Sequence, residues 1–347
     1  MINHVSHQRP IIAAVLLKSG DEPILTTARY LARKLHAPLH IVHAVRPMFS
    51  YVGAGDIVVN PYYGYEMNFN DKEEQLARDK LDALSGAFDD VEVSTHLIRD
   101  FPPEAVLSLA DELNAGLIIA GVGADAGGFL SGVSTGFTLA SEANIPVLLV
   151  PEHNAVRLEG PLRILVADNF GEEGQAALDA AVQLANELHA ESLTHVHVQD
   201  MSFQDVDRMI ESVRESMILG QIPSDPELNR EYYIEKVKAR TQTELMKRYE
   251  ESIEPHLNST RYEAAVGFGK PAEEIHNEVN RVGAQMMVFG RHHLVHRKTL
   301  SLGRIPYPAM VEDGVATLVV PDVKSGSQEK MVHRSNFEQQ GTTFLNQ

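Results

Sequence analysis

Two hydrophobic rhythms alternate along the chain. Residues 11–17 form an unbroken apolar run, as in a strand buried on both faces. Ile24, Ala28, Leu31, Ala32 and Leu35 then recur at helical spacing and make one apolar stripe. The alternation continues with a strand over 39–45, then a charged helix over 73–88 with Leu76, Leu81 and Leu84 inward. A strand over 91–98, a helix opened by Pro102 and Pro103, a strand over 117–121, a helix over 135–143 and a strand over 146–150 follow. Strands alternating with helices predict an α/β fold, with a parallel sheet, right-handed crossovers and helices on both faces.

The pattern then starts again. Residues 28–37 and 181–190 share six of ten positions at a spacing of 153. Residues 100–104 match 269–273, and 117–121 match 286–290, both at 169; 147–151 match 317–321 at 170. Preserved order at nearly constant spacing marks an internal repeat. The chain therefore divides into one domain over 9–151 and a second over 161–322, with a linker over 152–161 and aperiodic tails over 1–8 and 324–347. The two halves are expected to pack as a pseudo-dimer, each with its own five-stranded parallel sheet rather than one continuous sheet. The second copy's extra residues fall between its second and third strands. There, residues 200–255 are strongly charged and carry Pro223 and Pro226, with Leu245, Met246 and Tyr249 as the inward stripe of one long helix. This segment reads as a longer version of the first copy's charged helix; a partner-binding extension is the alternative.

Composition narrows the function. A length of 347 residues suits two domains. The net charge of −18 argues against a nucleic-acid partner, which needs a basic face. Cysteine is absent, which excludes a thiol nucleophile, disulfides and Cys-ligated metal. Tryptophan is absent too, and aromatics make up only 6%, so an aromatic stacking platform is not expected. No signal peptide or membrane span is read, and the expected location is the cytoplasm.

In a doubly wound sheet, ligands bind beyond the carboxyl ends of the strands, where strand order reverses. In the second copy this places Asp168, at the end of its first strand, near Gly290, at the end of its fourth. The following loop contains His293, Gly303 and Arg304. The pattern Gly290-x2-His293-x9-Gly303 resembles the glycine signature of the universal stress protein family. Asp168, the run His195-Val-His-Val198, the helix start Gly269-x-Pro271-Ala and the closing strand before Pro321 are similar to that family's other landmarks. The resemblance covers both copies, so the chain resembles a tandem universal stress protein. It implies two five-stranded, doubly wound sandwiches of the adenine nucleotide alpha hydrolase-like type. It also implies ATP or another adenine nucleotide as the ligand of the second domain, with Asp168, Gly290, His293, Gly303 and Arg304 at the site.

The residues themselves also favour an anion in the second copy. From Val279 to Val311 there is no Asp or Glu, while Arg281, Arg291, Arg297, Lys298 and Arg304 are present. The alternative is that these cations pair with acids on neighbouring helices. Two departures stand against the family pattern: Arg304 occupies the Ser/Thr place, and Pro306 and Pro308 remove N–H donors where a helix should start. The first copy departs further. Val15 or Leu16 stands where Asp168 does, Ala124 replaces the second motif residue, and no Lys or Arg lies between Arg99 and Arg157. The amides of Ser134 and Thr135 remain as anion donors there. His195 and His197 share one face of a strand, and His292, His293 and His296 cluster, but no carboxylate sits at a motif spacing and no metal site is predicted. Lys18-Ser-Gly-Asp21 has part of the phosphate loop of ATP pyrophosphatases; without its second Gly and closing Ser it reads as a turn.

The function expected is therefore stress response by binding and regulation, without catalysis. The expected partner is an unidentified protein, with no membrane insertion, and a homodimer is compatible with the family. Two alternatives stay open: a nucleotide-free interaction module with vestigial pockets, and an ATP-using enzyme of the same fold.

Overall fold

The computed structural model describes residues 8–45, 63–123, 134–291 and 313–321. The first half runs β1 (Ile11–Ala14), α1 (Glu22–Leu35), β2 (Leu39–Val45), α2 (Tyr63–Ser85), β3 (Val93–Arg99), α3 (Pro102–Glu112), β4 (Leu117–Val122), α4 (Thr135–Glu142) and β5 (Val147–Pro151). The second half runs β6 (Arg163–Ala167), α5 (Glu172–Glu187), β7 (Ser192–Gln199), α6 (Phe203–Ile218) and α7 (Arg230–Arg248). It continues with β8 (Arg261–Phe268), α8 (Pro271–Val282), β9 (Met286–Gly290) and β10 (Ala316–Val320).

Each half has the strand order third, second, first, fourth, fifth, all parallel, with its reversal point between β1 and β4 or between β6 and β9. The expectation of two separate sheets is not met. β5 pairs antiparallel with β10, with Thr317 opposite Leu149 and Val319 opposite Val147, and fuses the halves into one ten-stranded sheet. The physical reason is edge protection. Both closing strands are apolar and buried along their whole length, and each would otherwise expose an unpaired edge. The repeat itself stands, because order and direction within each half are kept. Antiparallel joining also points the carboxyl ends of the two halves in opposite directions, so their crevices open at opposite ends of the sheet.

Two apolar layers run across the join. One face packs α1 and α5 on the sheet around Leu31, Ile119, Leu178 and Val288. The other packs α3, α4 and α8 around Val106, Leu139, Ile275 and Met287. The Arg291 guanidinium crosses between halves and donates to the carbonyls of Ser141 and Ala143 at 2.8 and 2.7 Å, closing the carboxyl end of α4. The linker docks on the second half through Val156 N–H to Gly314 O and the Gln285 amide to Arg157 O and Glu159 O.

Several boundaries differ from the sequence expectation. β1 ends at Ala14, and Leu16 is exposed, because the chain turns out through Leu17 at positive φ. α2 begins at Tyr63, and Leu76 is exposed while Leu81 is buried, so the inward stripe is narrower than the periodicity implied. The 200–255 segment forms two helices. α6 is capped by Ser202, α7 by Asn229, and a π-turn over Tyr249–Ile253 ends the run. Leu245 is buried, but Met246 faces solvent. Residues 18–21 form the expected turn, with Asp21 accepting the N–H groups of Leu16 and Lys18. No described helix is long and apolar enough to cross a membrane.

Candidate functional site

Among the described residues, the second half's reversal point holds a buried polar cluster around Asp168. Asp168 follows β6, its side chain has no exposed surface, and three residues make four contacts with it. It accepts from His195 Nε2 at 2.9 Å, from the Phe170 N–H at 2.7 Å, and from Arg248 at 3.1 and 3.3 Å. A carboxylate only accepts, so His195 donates from Nε2, while its Nδ1 lies 3.0 Å from the Tyr262 hydroxyl. Tyr262 stacks on Tyr249, and burial raises its pKa, so the phenol keeps its proton. Burial pushes the Asp168 carboxyl up. The hydrogen bond and charge of His195, the charge of Arg248 and the Phe170 amide outweigh it, and its pKa lies below the ordinary value.

Arg248 comes from the last residue of α7, within the long segment of the second copy. Its guanidinium also donates to Gln175 at 2.8 Å and lies over the Phe170 ring. Phe170, at positive φ, stacks on His197, whose Nδ1–H donates to the Asp168 carbonyl at 2.7 Å. Burial lowers the His197 pKa. His195 and His197 therefore serve Asp168, one through its side chain and one through its backbone.

Gly290 is placed at the end of β9, but its missing side chain serves a protein contact. A Cβ there would lie 2.1 Å from the Glu173 carbonyl oxygen, so glycine admits the start of α5. Gly174 plays the matching part, because a Cβ there would lie 2.1 Å from Asp168 Oδ1. Of the basic run, Arg281 pairs with Glu278 and Glu263, and Arg291 serves α4. His293, Gly303 and Arg304, with Arg297 and Lys298, lie outside the described residues. Among the described residues there is no group of three His, Asp or Glu that could hold a metal.

The first half is built the same way without this cluster. Val15 matches Asp168: each donates its N–H to the facing carbonyl of the second strand, Val42 or Val196. His43 matches His197, with Nδ1 donating to Val15 O at 2.9 Å. Val15 has no carboxylate to hold an arginine, and a cavity of about 280 Å³ opens at the ends of β1, β2 and β4. Val15, Val42, Ala44 and Val106 form apolar walls; Ser134, Thr135 and the backbone of Gly121 supply polar groups, and Glu152 is the charged side chain of the lining. A larger groove of about 590 Å³ lies between α1 and the end of α2, but it is open and lies on the helical layer rather than at the reversal point.

The described fold agrees with comparisons to known proteins. The model of the Universal stress protein family matches residues 8–151 and again residues 162–306. The chain belongs to the universal stress protein family. Its two matches make it a tandem member. Among solved structures, the chain is similar to a universal stress protein from Archaeoglobus fulgidus DSM 4304, at 13% identity, 92% of this chain, 98% of the other and a TM-score of 0.56. A putative universal stress protein from Pseudomonas aeruginosa UCBPP-PA14 gives 16% identity, 90% and 93% coverage and a TM-score of 0.48. A universal stress protein from Archaeoglobus fulgidus in complex with dAMP gives 22% identity, 41% and 97% coverage and a TM-score of 0.28. No curated protein matches the chain.

Sequence reasoning missed Arg248, Tyr262, Gly174 and Glu152. Arg248 lies 80 residues from Asp168, and nothing in local spacing joins them. Glu152 follows the last strand of the first half, outside any glycine pattern.

Proposed function

We propose that this tandem universal stress protein is a cytoplasmic, non-catalytic binding protein of the stress response, which takes a small adenosine-type ligand and passes its bound state to a protein partner. The observation that carries the reading is the cavity at the first half's reversal point. It combines apolar walls for a flat base with the backbone of Gly121 and the start of α4, which is where an α/β sheet receives a ligand. Its volume of about 280 Å³ is near the lower end of the range for small-ligand sites, roughly 300–1,000 Å³. The family resemblance supplies the adenine; the described lining holds one acid, Glu152, and no base beside it.

The glycine motif favours the second half instead, and that is the second reading. A ligand seated against Asp168 there has to displace Arg248 from a carboxylate with no exposed surface. Calorimetric titration of the full chain with adenosine separates the two. Ala44→Phe fills the first cavity and is expected to weaken binding tenfold or more, while Arg248→Met leaves it unchanged. If Arg248→Met strengthens binding and Ala44→Phe does nothing, the second half holds the ligand. If nothing binds, the interaction-module reading takes over.

A further inference from the structure

The charged wall of the first cavity has the wrong sign for a polyphosphate. Glu152 N–H donates to Val122 O at 3.0 Å, which fixes the residue beside the end of β4. Its carboxylate lies in a notch bordered by glycines. A Cβ on Gly121 would sit 3.3 Å from Oε1, one on Gly123 3.1 Å from Oε2, and one on Gly20 3.5 Å from Oε2. The same cavity is lined by Ser134, which precedes α4, and by Thr135 and Gly136, its first two residues, where the positive end of the helix would otherwise attract a ligand anion. A carboxylate thus already lines the same cavity as the start of α4.

Among the described residues, the lining of this cavity contains no Lys or Arg. The chain has no Lys or Arg between Arg99 and Arg157, a stretch that contains β4, the loop after it, α4 and Glu152 itself. Arg157 faces Glu22 at 3.5 Å. Each phosphate placed in this cavity meets like charge in a partly desolvated setting, where screening is weaker than in bulk water.

We infer that the first cavity selects an uncharged adenine nucleoside against its polyphosphates, and that Glu152 is the selecting residue. This rests on the binding reading above. The test is titration of the full chain with adenosine and with ATP, the latter in EDTA and again with Mg²⁺, for the unaltered protein and for Glu152→Gln. The glutamine keeps the shape and removes the charge, and a thermal melt checks that the fold is intact. The unaltered protein is expected to bind adenosine at least tenfold more tightly than ATP in EDTA. Glu152→Gln is expected to raise ATP affinity fivefold or more and to leave adenosine within twofold. Equal affinity of the unaltered protein for adenosine and ATP overturns the inference but leaves the binding reading intact. So does an unchanged ratio in Glu152→Gln. ATP binding that needs Mg²⁺ and is lost in Glu152→Gln also overturns it, making Glu152 a metal ligand instead. Binding of neither ligand by the unaltered protein overturns both.

Discussion

Arg248→Met isolates the charge paired with Asp168 at the second half's reversal point. Methionine keeps most of the apolar stem over Phe170 and removes the guanidinium. At 3.1 Å and an effective dielectric of about 20, the attraction to Asp168 is roughly 5 kcal/mol before desolvation is counted. Removing one partner of a fully buried pair costs about 3–5 kcal/mol. Here Asp168 keeps His195 at 2.9 Å and the Phe170 amide at 2.7 Å, and the Arg248 side chain is 18% exposed. The expected loss is therefore about 2–3 kcal/mol, read as a lower urea midpoint at unchanged slope. Asp168→Asn and the double variant complete a cycle, with a coupling of about 1–3 kcal/mol for groups in contact. The pH dependence has a definite sign. The Asp168 pKa is lowered in the folded state, so its stabilisation is present above the ordinary value of 3.8 and is lost as pH falls through the folded pKa. The Arg248→Met deficit should thus persist at pH 5.5 and shrink only in stronger acid. A loss under about 0.5 kcal/mol, or no coupling with Asp168→Asn, refutes the reasoning, since exposed ion pairs behave that way.

Arg291→Met should cost about 2–3 kcal/mol in urea unfolding, because it removes two hydrogen bonds from a charged donor to the carbonyls closing α4. Gly174→Ala should destabilise by about 1–3 kcal/mol, because its Cβ would lie 2.1 Å from Asp168 Oδ1 and the packed helix start has to shift; an unchanged midpoint contradicts that. The His40 and His96 rings share a 2.9 Å hydrogen bond across β2 and β3, and burial lowers both pKa values. Their contribution is present above the ordinary value of 6.5 and is lost as pH falls below it, so the unfolding midpoint should drop between pH 7.5 and 5.5, and His40→Gln should flatten that drop.

Periodicity located most strands and helices because the sheet is buried on both faces, so apolar runs and helical stripes carry the signal. The aligned segments also disclosed the repeat. What closes the sheet was not legible, since Val147–Pro151 and Ala316–Val320 look alike whether they are edges or pair with each other. Asp168 and Gly290 were legible as strand-end positions, but their surroundings were not. Gly290 reads as a phosphate glycine in one dimension and meets Glu173 in three. Arg248 depends on how a two-helix segment folds back, which charge patterning alone does not encode. The first copy departs further from the family pattern because it lacks Asp168's counterpart. That same lack leaves no carboxylate to draw in an arginine, and a cavity stays open.

The most direct test of the account is amide hydrogen exchange of the full chain with and without saturating adenosine. The account predicts slowed exchange at residues 14–17, 42–45, 120–123 and 134–137, the strand ends and helix start around the first cavity, with 166–171 and 288–291 unchanged. Protection confined to 166–171 and 288–291 would contradict it and return the ligand to Asp168.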